Sequence, residues 1–220
     1  MKTSKKIIIA VTGVAILVAG IVCKQHFLLM VPLFVSLFVM SFQSEANRIG
    51  SLIGAINALI YTATYTYMGV YGSAASSLLL SFPLQLITFF NWKKHAYKKT
   101  VMFKKLSTRQ RVIFSVSGLA LWGALAFAFV KLEYEYAIFD SLLFLLGFVV
   151  PVLTALAFIE YTYLWIIQAV VGLFLNVQMA FNDLSQITYL VYGVYALYCV
   201  VLAYKNVHKF YKEQQKAVLK

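Results

Sequence analysis

Charged residues are scarce in this 220-residue chain: they make up 12% of it, against about 25% in a typical soluble domain. Residues with apolar side chains make up 62%. A soluble protein would have to hide several apolar runs of about 17 to 25 residues, each long enough to cross a ~30 Å hydrocarbon core. Too little polar sequence is present to cover such runs. The composition therefore excludes a soluble globular protein and predicts an integral membrane protein.

Cysteine and histidine are also rare. Cys23 and Cys199 are separated by most of the chain, so a disulfide framework is not implied. The three histidines, His26, His95 and His208, have no second ligand at helical or hairpin spacing, and we expect neither a metal site nor a bound cofactor. No segment resembles an ATP-binding loop, a serine-centred elbow or a metal-binding His/Glu pair. We therefore expect no catalytic residues and a protein that is not an enzyme.

Apolar runs divided by charged residues predict an all-α polytopic membrane protein with about eight transmembrane helices. These spans fall near residues 7–22, 27–43, 49–69, 73–90, 112–130, 138–158, 162–181 and 186–204. The first span follows basic residues, as a signal peptide would, but the bulky Val22 precedes Cys23 where a lipoprotein cleavage site has a small residue. We expect this span to be retained.

The net charge of +12 is unevenly distributed along the chain. If the basic loop 91–111 is cytoplasmic, eight crossings leave only Lys24 and Lys131 of the Lys and Arg residues outside. This one-sided distribution is typical of membrane topology and predicts that both termini are cytoplasmic. Because the charges gather at the ends of apolar segments rather than on one polar face, we expect a lipid bilayer as partner and no nucleic acid.

Two similar stretches indicate an internal repeat. Gly54-Ala55-Ile56-Asn57-Ala58 and Ile166-Ile167-Gln168-Ala169 each place an amide after isoleucine and before a small residue. We predict an extra N-terminal span (7–22), a first three-helix repeat (27–90), a linker span (112–130), a second repeat (138–204) and a basic cytoplasmic tail (205–220). Parallel repeats with a site at their interface are a transporter design. The alternative is chance similarity between helices rich in Leu, Ile and Val.

Several polar and aromatic residues lie within the predicted spans. Asn57 is in mid-span, where an uncompensated amide costs several kcal/mol, so it either faces a binding site or makes an interhelical hydrogen bond. Gln85, Phe89 and Trp92 stand at i, i+4 and i+7 and are expected on one helix face. An amide flanked by rings can hydrogen-bond a flat polar molecule while the rings stack on it.

A second stripe consists of Trp165, Gln168, Gly172 and Asn176, and two facing stripes would enclose a planar heterocycle. For each tryptophan, an ordinary position in the interfacial aromatic belt is the alternative. Asp140 enters the sixth span near its outer boundary. There it either acts at the external mouth of a pathway or caps a helix N-terminus.

These residues together resemble the PnuC family of bacterial vitamin transporters, over about residues 27–204. The resemblance depends on Gly54-Ala-Ile-Asn57, Pro83-x-Gln85, Phe89-x-x-Trp92, Phe139-Asp140-Ser141, Glu160 and Trp165-Ile-Ile-Gln168. The sequence departs from the family pattern at Thr88 and Phe89, where glycine and tryptophan are common, and at Gln168, where asparagine is common. These departures leave the identity of the bound vitamin open.

The resemblance implies facilitated diffusion of nicotinamide riboside, a vitamin B3 precursor for NAD synthesis, across a bacterial plasma membrane. It also implies a SWEET-like architecture, a homotrimer, and a cytoplasmic vitamin kinase that traps the substrate. We expect the substrate to contact Asn57, Gln85, Phe89, Trp92, Asp140, Trp165, Gln168 and Asn176. The alternatives are thiamine or riboflavin as the substrate, an intramembrane enzyme, and a membrane scaffold that transports nothing.

Overall fold

The computed structural model describes residues 3–98 and 100–218, and most of them are helical. The helices are α1 (Thr3–Val22), α2 (Phe27–Ser44), α3 (Ile49–Tyr67), α4 (Tyr71–Ser76), α5 (Phe82–Lys94), α6 (Thr108–Lys131), α7 (Ala137–Ala155), α8 (Tyr161–Asn182) and α9 (Ile187–Val218). A π-helical turn, Ser77–Ser81, joins α4 to α5, and a 3-10 turn, Leu184–Gln186, precedes α9. Strands β1 (Ala96–Tyr97) and β2 (Thr100–Val101) form a small antiparallel hairpin. The prediction of an all-α polytopic membrane protein is confirmed.

Seven helical segments of the described chain are long and apolar enough to cross a membrane. They are α1, α2, the segment Ser73–Lys94, α6, α7, α8 and the segment Leu184–Ala217. The third predicted span, 49–69, corresponds to α3, which is 19 residues long and is not among these seven segments. Since α3 packs between α2 and α5, its buried polar groups, including Ser51, Asn57 and Thr64, lie against protein rather than lipid.

Six helices form a closed ring. Going round it, α2 packs against α3, α3 against α5, α5 against α7, α7 against α8, α8 against α9, and α9 again against α2. Outside the ring, α1 packs on α9 and α2, and α6 packs on α7. Two three-helix repeats joined by a linker helix stay a prediction, which is supported by this order because α2, α3 and α5 occupy one half of the ring and α7, α8 and α9 the other.

A proline in α2 shapes its contact with α3. Pro32 has no backbone N–H, so the carbonyl of Leu28 lacks its usual helical donor. The hydroxyl of Thr64 donates a hydrogen bond to this carbonyl at 3.4 Å. A polar side chain from a neighbouring helix thus restores the hydrogen bond that the proline removes, which is how membrane helices accommodate proline.

We call one end of the bundle the basic end; here α2, α5 and α7 end and α3, α6 and α8 begin. Lys5 forms an ion pair with Glu45 at 2.8 Å, and Asn91 donates to the carbonyl of Ala155 at 2.6 Å. The described Lys and Arg residues at this end are Lys5, Lys6, Arg48, Lys93, Lys94, Lys98, Lys104, Lys105, Arg109, Arg111, Lys205, Lys209, Lys212 and Lys216. At the opposite end are Lys24 and Lys131, while Lys2, Lys99 and Lys220 lie outside the described residues.

The predicted basic tail is a continuation of α9 as far as Val218. Val207 on this extension is fully buried. Gln214 is buried as well: it accepts a hydrogen bond from Phe103 N at 2.9 Å and donates to the carbonyl of Val101 at 2.8 Å. The helix therefore extends beyond the bundle because one of its faces packs on the loop between α5 and α6.

Candidate functional site

A cavity of about 280 Å³ lies inside the helix ring, close to the lower limit of about 300 Å³ for small-molecule sites. It runs from the middle of α3 to the basic end of the bundle. Its lining residues are Ser36, Val39, Met40, Gln43, Asn47, Ser51, Gly54, Asn57, Ala58, Tyr61, Ser77, Ser81, Gln85, Thr88, Trp92, Val150, Pro151, Thr154, Tyr161, Trp165 and Gln168. All the ring helices except α9 contribute to it, so both halves of the ring surround the same space.

Five of the eight predicted substrate contacts line this cavity. They are Asn57 on α3, Gln85 and Trp92 on α5, and Trp165 and Gln168 on α8. Residues from three helices, separated by up to more than one hundred positions in sequence, thus meet around one space. What each of them contacts in a complex stays a prediction.

Phe89, Asp140 and Asn176 are not among the residues that line the cavity. The ring of Phe89 packs edge-on against Phe90, with centroids 5.4 Å apart. Asp140 is in the first turn of α7, at the end of the bundle opposite the basic end, and the N-cap of that helix is Tyr136. Asn176 donates across to α9, to a backbone carbonyl at 3.4 Å.

The face of α5 that lines the cavity continues away from the basic end, into the π-helical turn. Ser77, Ser81, Gln85, Thr88 and Trp92 all line the cavity. Their spacing of three or four residues places them on one side of a helix. The i+4 spacing from Gln85 predicted Phe89 on this face, whereas the residue that lines the cavity is Thr88, at i+3. The serines and the threonine were therefore missed, although their regular spacing was a visible signal.

A glycine on α3 lets the amide of Gln85 lie close to the backbone. A Cβ at Gly54 would be 2.9 Å from Gln85 Cδ, 3.0 Å from Oε1 and 3.1 Å from Nε2. Gln85 Oε1 accepts a hydrogen bond from Gln43 Nε2 of α2 at 3.3 Å. The amide of Gln85 is thus held by a glycine on one helix and a glutamine on another.

Asn57 is buried, with 5% of its surface exposed. Its Nδ2 donates to Ser36 Oγ at 2.8 Å. Its Oδ1 is buried and has no hydrogen-bond donor among the described residues. A buried carbonyl without a partner is costly, and most such groups in proteins are satisfied by a side chain, water or ligand.

The α8 side of the cavity is mainly aromatic. Tyr161 and Trp165 are one turn apart, with ring centroids 6.1 Å apart and planes tilted by 43°. Gln168 lies one turn further along α8 and approaches the backbone of α7, since a Cβ at Gly147 would be 4.0 Å from Gln168 Nε2. Aromatic faces and an amide therefore line the wall opposite α3.

Trp92 lines the cavity at its basic end. Its Nε1 donates to the carbonyl of Thr154 on α7 at 2.8 Å. Phe103, in the loop after α5, packs edge-on against it, with centroids 5.7 Å apart and planes at 87°. This contact links the cavity wall to the same loop that the α9 extension holds.

The charge of the cavity is its most informative property. None of the described residues that line it is Lys, Arg, His, Asp or Glu. Its polar groups are amides, hydroxyls and backbone, and its rings are those of Tyr61, Trp92, Tyr161 and Trp165. Nor do the described residues include a group of three or more His, Cys, Asp or Glu that could hold a metal ion. Such a site can stack on a flat molecule and hydrogen-bond it, but provides no countercharge for an anion.

The sequence model of a family described as nicotinamide mononucleotide transporter matches residues 26–207. A solved structure described as the crystal structure of the vitamin B3 transporter PnuC has a TM-score of 0.77 to this chain. Its sequence is 20% identical, over 97% of this chain and 94% of that one, so the likeness shows a shared fold. None of the curated proteins matches the sequence.

Proposed function

The chain belongs to the nicotinamide mononucleotide transporter family, and from this premise we propose that it carries nicotinamide riboside into the cell by facilitated diffusion. The observation that carries the proposal is the uncharged cavity lined by amides and rings. The family description names a mononucleotide, and the riboside differs from it only by lacking the phosphate group. The cavity supports the form without phosphate.

A phosphate monoester carries about 1.5 to 2 negative charges at pH 7. Burying such a group without a positive partner costs several kcal/mol even after relaxation and water penetration. No Lys or Arg occurs among the described residues of the cavity wall. The free energy that a mononucleotide would lose by dehydration of its phosphate therefore far exceeds the free energy that contacts in this site could provide. The riboside has only a hydroxyl in place of the phosphate.

The nicotinamide ring of the riboside is a pyridinium cation, because its nitrogen is bonded to the sugar. A cation over an aromatic face gains about 0.5 to 2 kcal/mol, more when it is desolvated. Tyr61, Trp92 and Trp165 line the cavity and would surround this ring. Rings therefore provide the attraction to a cation that a carboxylate would provide elsewhere.

Polar contacts would come from three amides. We assign hydrogen bonds with the substrate to Asn57, Gln85 and Gln168, and stacking or closure to the two tryptophans. Asp140 would act at the mouth at the other end of the bundle. We assign no direct contact to Phe89 or Asn176, which lie away from the cavity.

The charges set the orientation of the bundle in the proposed membrane. With the basic end in the cytoplasm, as the positive-inside rule requires, Trp92 and Thr154 would form the inner closure. No ATP-binding sequence is present, so we propose that alternating access only equilibrates the riboside. A cytoplasmic kinase would trap it by phosphorylation, since the cavity disfavours phosphate. The resemblance to the PnuC family also leads us to propose a homotrimer.

Counterflow in proteoliposomes tests this function. Vesicles loaded with unlabelled nicotinamide riboside should transiently accumulate labelled riboside from outside. The double variant Gln85→Ala/Trp165→Ala should reduce this accumulation at least about tenfold, while a matched pair away from the cavity, Gln215→Ala/Trp122→Ala, should retain it. Counterflow of labelled thiamine or riboflavin without counterflow of labelled riboside would favour another vitamin, and absence of counterflow with all three solutes would favour the scaffold alternative.

A further inference from the structure

We propose that four lysines on the C-terminal part of α9 form a binding surface for the headgroups of anionic lipids in the membrane leaflet at the basic end. This lysine stripe consists of Lys205, Lys209, Lys212 and Lys216. The inference goes beyond the proposed function, because the stripe lies outside the cavity and its binding partner does not depend on which solute the protein carries.

The four lysines lie on one exposed face of α9. They stand at i, i+4, i+7 and i+11, a spacing that places side chains on one side of a helix, and all four are exposed. On the opposite face, Val207 and Gln214 are buried, and Gln214 bonds the loop after α5. This packing fixes the rotation of α9, so the lysine stripe faces away from the bundle.

The same face of α9 meets lipid inside the membrane. Val194 and Tyr198 are 58% and 43% exposed, although they lie in the part of the helix that crosses the membrane. Counted from Tyr198, Lys205 and Lys209 follow at i+7 and i+11, on the same side of the helix. A lipid whose acyl chain packs against Val194 and Tyr198 therefore has its headgroup next to the first two lysines.

The length of α9 sets the depth of each lysine. A hydrocarbon core of ~30 Å takes up about 20 residues of helix, and α9 begins at Ile187, so the core ends near residue 206. Lys205 and Lys209 then lie at the level of the headgroups, whose layer is about 5 to 7 Å thick on each side. Lys212 and Lys216 lie about 9 and 15 Å beyond the core, and both are within about one Debye length, ~8 Å, of that layer.

Aromatic rings mark the same depth independently. Tyr204 packs edge-on against Tyr163 of α8, with ring centroids 5.3 Å apart, and against His208 at 4.2 Å. Tyrosine rings are enriched at the boundary between hydrocarbon and headgroups. Tyr204 immediately precedes Lys205, so this ring cluster places the start of the lysine stripe at that boundary.

The lysine stripe has no countercharge in the described part of the chain. The acidic residue nearest to it in sequence, Glu213, pairs instead with Lys98 at 3.8 Å. None of the four lysine side chains forms an ion pair or hydrogen bond with another described residue. Like charges one turn apart repel one another, so anions beside them stabilise this part of the helix. An anionic leaflet supplies such anions, and each lysine near its surface raises the affinity about fivefold.

Photo-crosslinking of the full-length protein in nanodiscs tests the proposal. Nanodiscs of phosphatidylcholine would contain a small fraction of either phosphatidylglycerol or phosphatidylcholine with a photoreactive acyl chain, and labelling of α9 would be quantified by mass spectrometry. The wild type should be labelled at least about tenfold more by the phosphatidylglycerol probe than by the other. This labelling ratio should fall toward one when salt rises from about 0.1 M to about 1 M, where the Debye length is only ~3 Å.

Two double variants divide the lysine stripe by depth. Lys205→Gln/Lys209→Gln should lower the labelling ratio to below about threefold, because these two lysines lie at the level of the headgroups. Lys212→Gln/Lys216→Gln removes the same charge farther from the leaflet and should lower the ratio only about twofold. Glutamine is a good helix former, so both variants should keep α9 intact.

Lys104→Gln/Lys105→Gln is the matched control. These exposed lysines lie in the loop between α5 and α6, whose backbone pairs with Phe158 in the turn before α8. The control removes the same charge and should keep the labelling ratio within about twofold of the wild type. Equal effects of the control and of Lys205→Gln/Lys209→Gln would show a response to net charge alone, and a wild-type ratio near one would show no preference. Either result would overturn the proposal.

Soluble competitors identify the anion. Inorganic phosphate at millimolar concentration has the charge of a headgroup but no acyl chain to pack against Tyr198, so the labelling ratio should persist in its presence. Loss of the ratio in phosphate would indicate a site for a soluble anion, and its loss on addition of equimolar single-stranded RNA would indicate a site for nucleic acid. Either loss would overturn the assignment to lipid.

Discussion

Replacement of Gln214 by leucine should release the loop between α5 and α6 from the C-terminal part of α9. The Gln214 amide accepts from Phe103 N and donates to the carbonyl of Val101, at 2.9 and 2.8 Å. Val101 is fully buried and Phe103 is 5% exposed. Leucine has a similar volume but no polar atoms, so both backbone groups would lose their partner in a place that water does not easily reach.

The size of the effect can be worked from these two hydrogen bonds. Each buried backbone group left unpaired costs about 1 to 3 kcal/mol, so the pair costs about 2 to 6 kcal/mol. Part of this cost is avoided if the loop opens and its backbone is hydrated. At the lower limit of about 2 kcal/mol, the population of the open loop should rise roughly 30-fold.

Limited trypsin digestion in detergent measures that opening, since Lys104 and Lys105 lie next to the clamped segment. Cleavage in Gln214→Leu should be at least about tenfold faster than in the wild type, provided that opening and closing are fast relative to cleavage. Gln215→Leu is the matched control, because the neighbouring glutamine is exposed and should leave the rate unchanged. Equal cleavage rates in the two variants would refute the clamp.

Two other substitutions have matched controls within the chain. Gly54→Ala places a Cβ 2.9 Å from Cδ of Gln85 and should weaken riboside binding about fivefold in a titration, because it displaces one hydrogen-bonding amide. Gly118→Ala, with nothing within 4 Å, should leave the affinity unchanged. Similar affinities in the two variants would argue against a role of Gly54 in placing the Gln85 amide. Thr64→Val leaves the carbonyl freed by the α2 proline without its donor and should lower stability by about 0.6 kcal/mol. Thr66→Val, which removes a bond within one helix, should have a smaller effect, and the reverse order of melting temperatures would contradict this account.

Much of the architecture was predictable because membrane physics constrains it strongly. Apolar length and one-sided charge alone located the eight helical segments, and most observed ends lie within a few residues of the predicted ones. The extension of α9 to Val218 was not predictable from hydropathy. It depends on Gln214 pairing with a loop more than one hundred residues away, and no local pattern encodes such a contact.

The candidate site was predictable only in part. The amides within the predicted spans pointed to Asn57, Gln85, Gln168 and Asn176, and the first three line one cavity. The same argument cannot decide which side of an aromatic helix faces inward, so Phe89 was favoured where Thr88 lines the cavity. Positioning partners such as Gln43 lie near a helix end, where polar residues are ordinary.

The uncharged cavity is the central claim, and paired calorimetric titrations of the purified protein with nicotinamide riboside and nicotinamide mononucleotide test it most directly. The account predicts that the riboside binds and that the mononucleotide binds at least about 100-fold more weakly, a difference of about 2.8 kcal/mol, because no cationic side chain is found among the described residues of the cavity wall. Equal or tighter binding of the mononucleotide would contradict it.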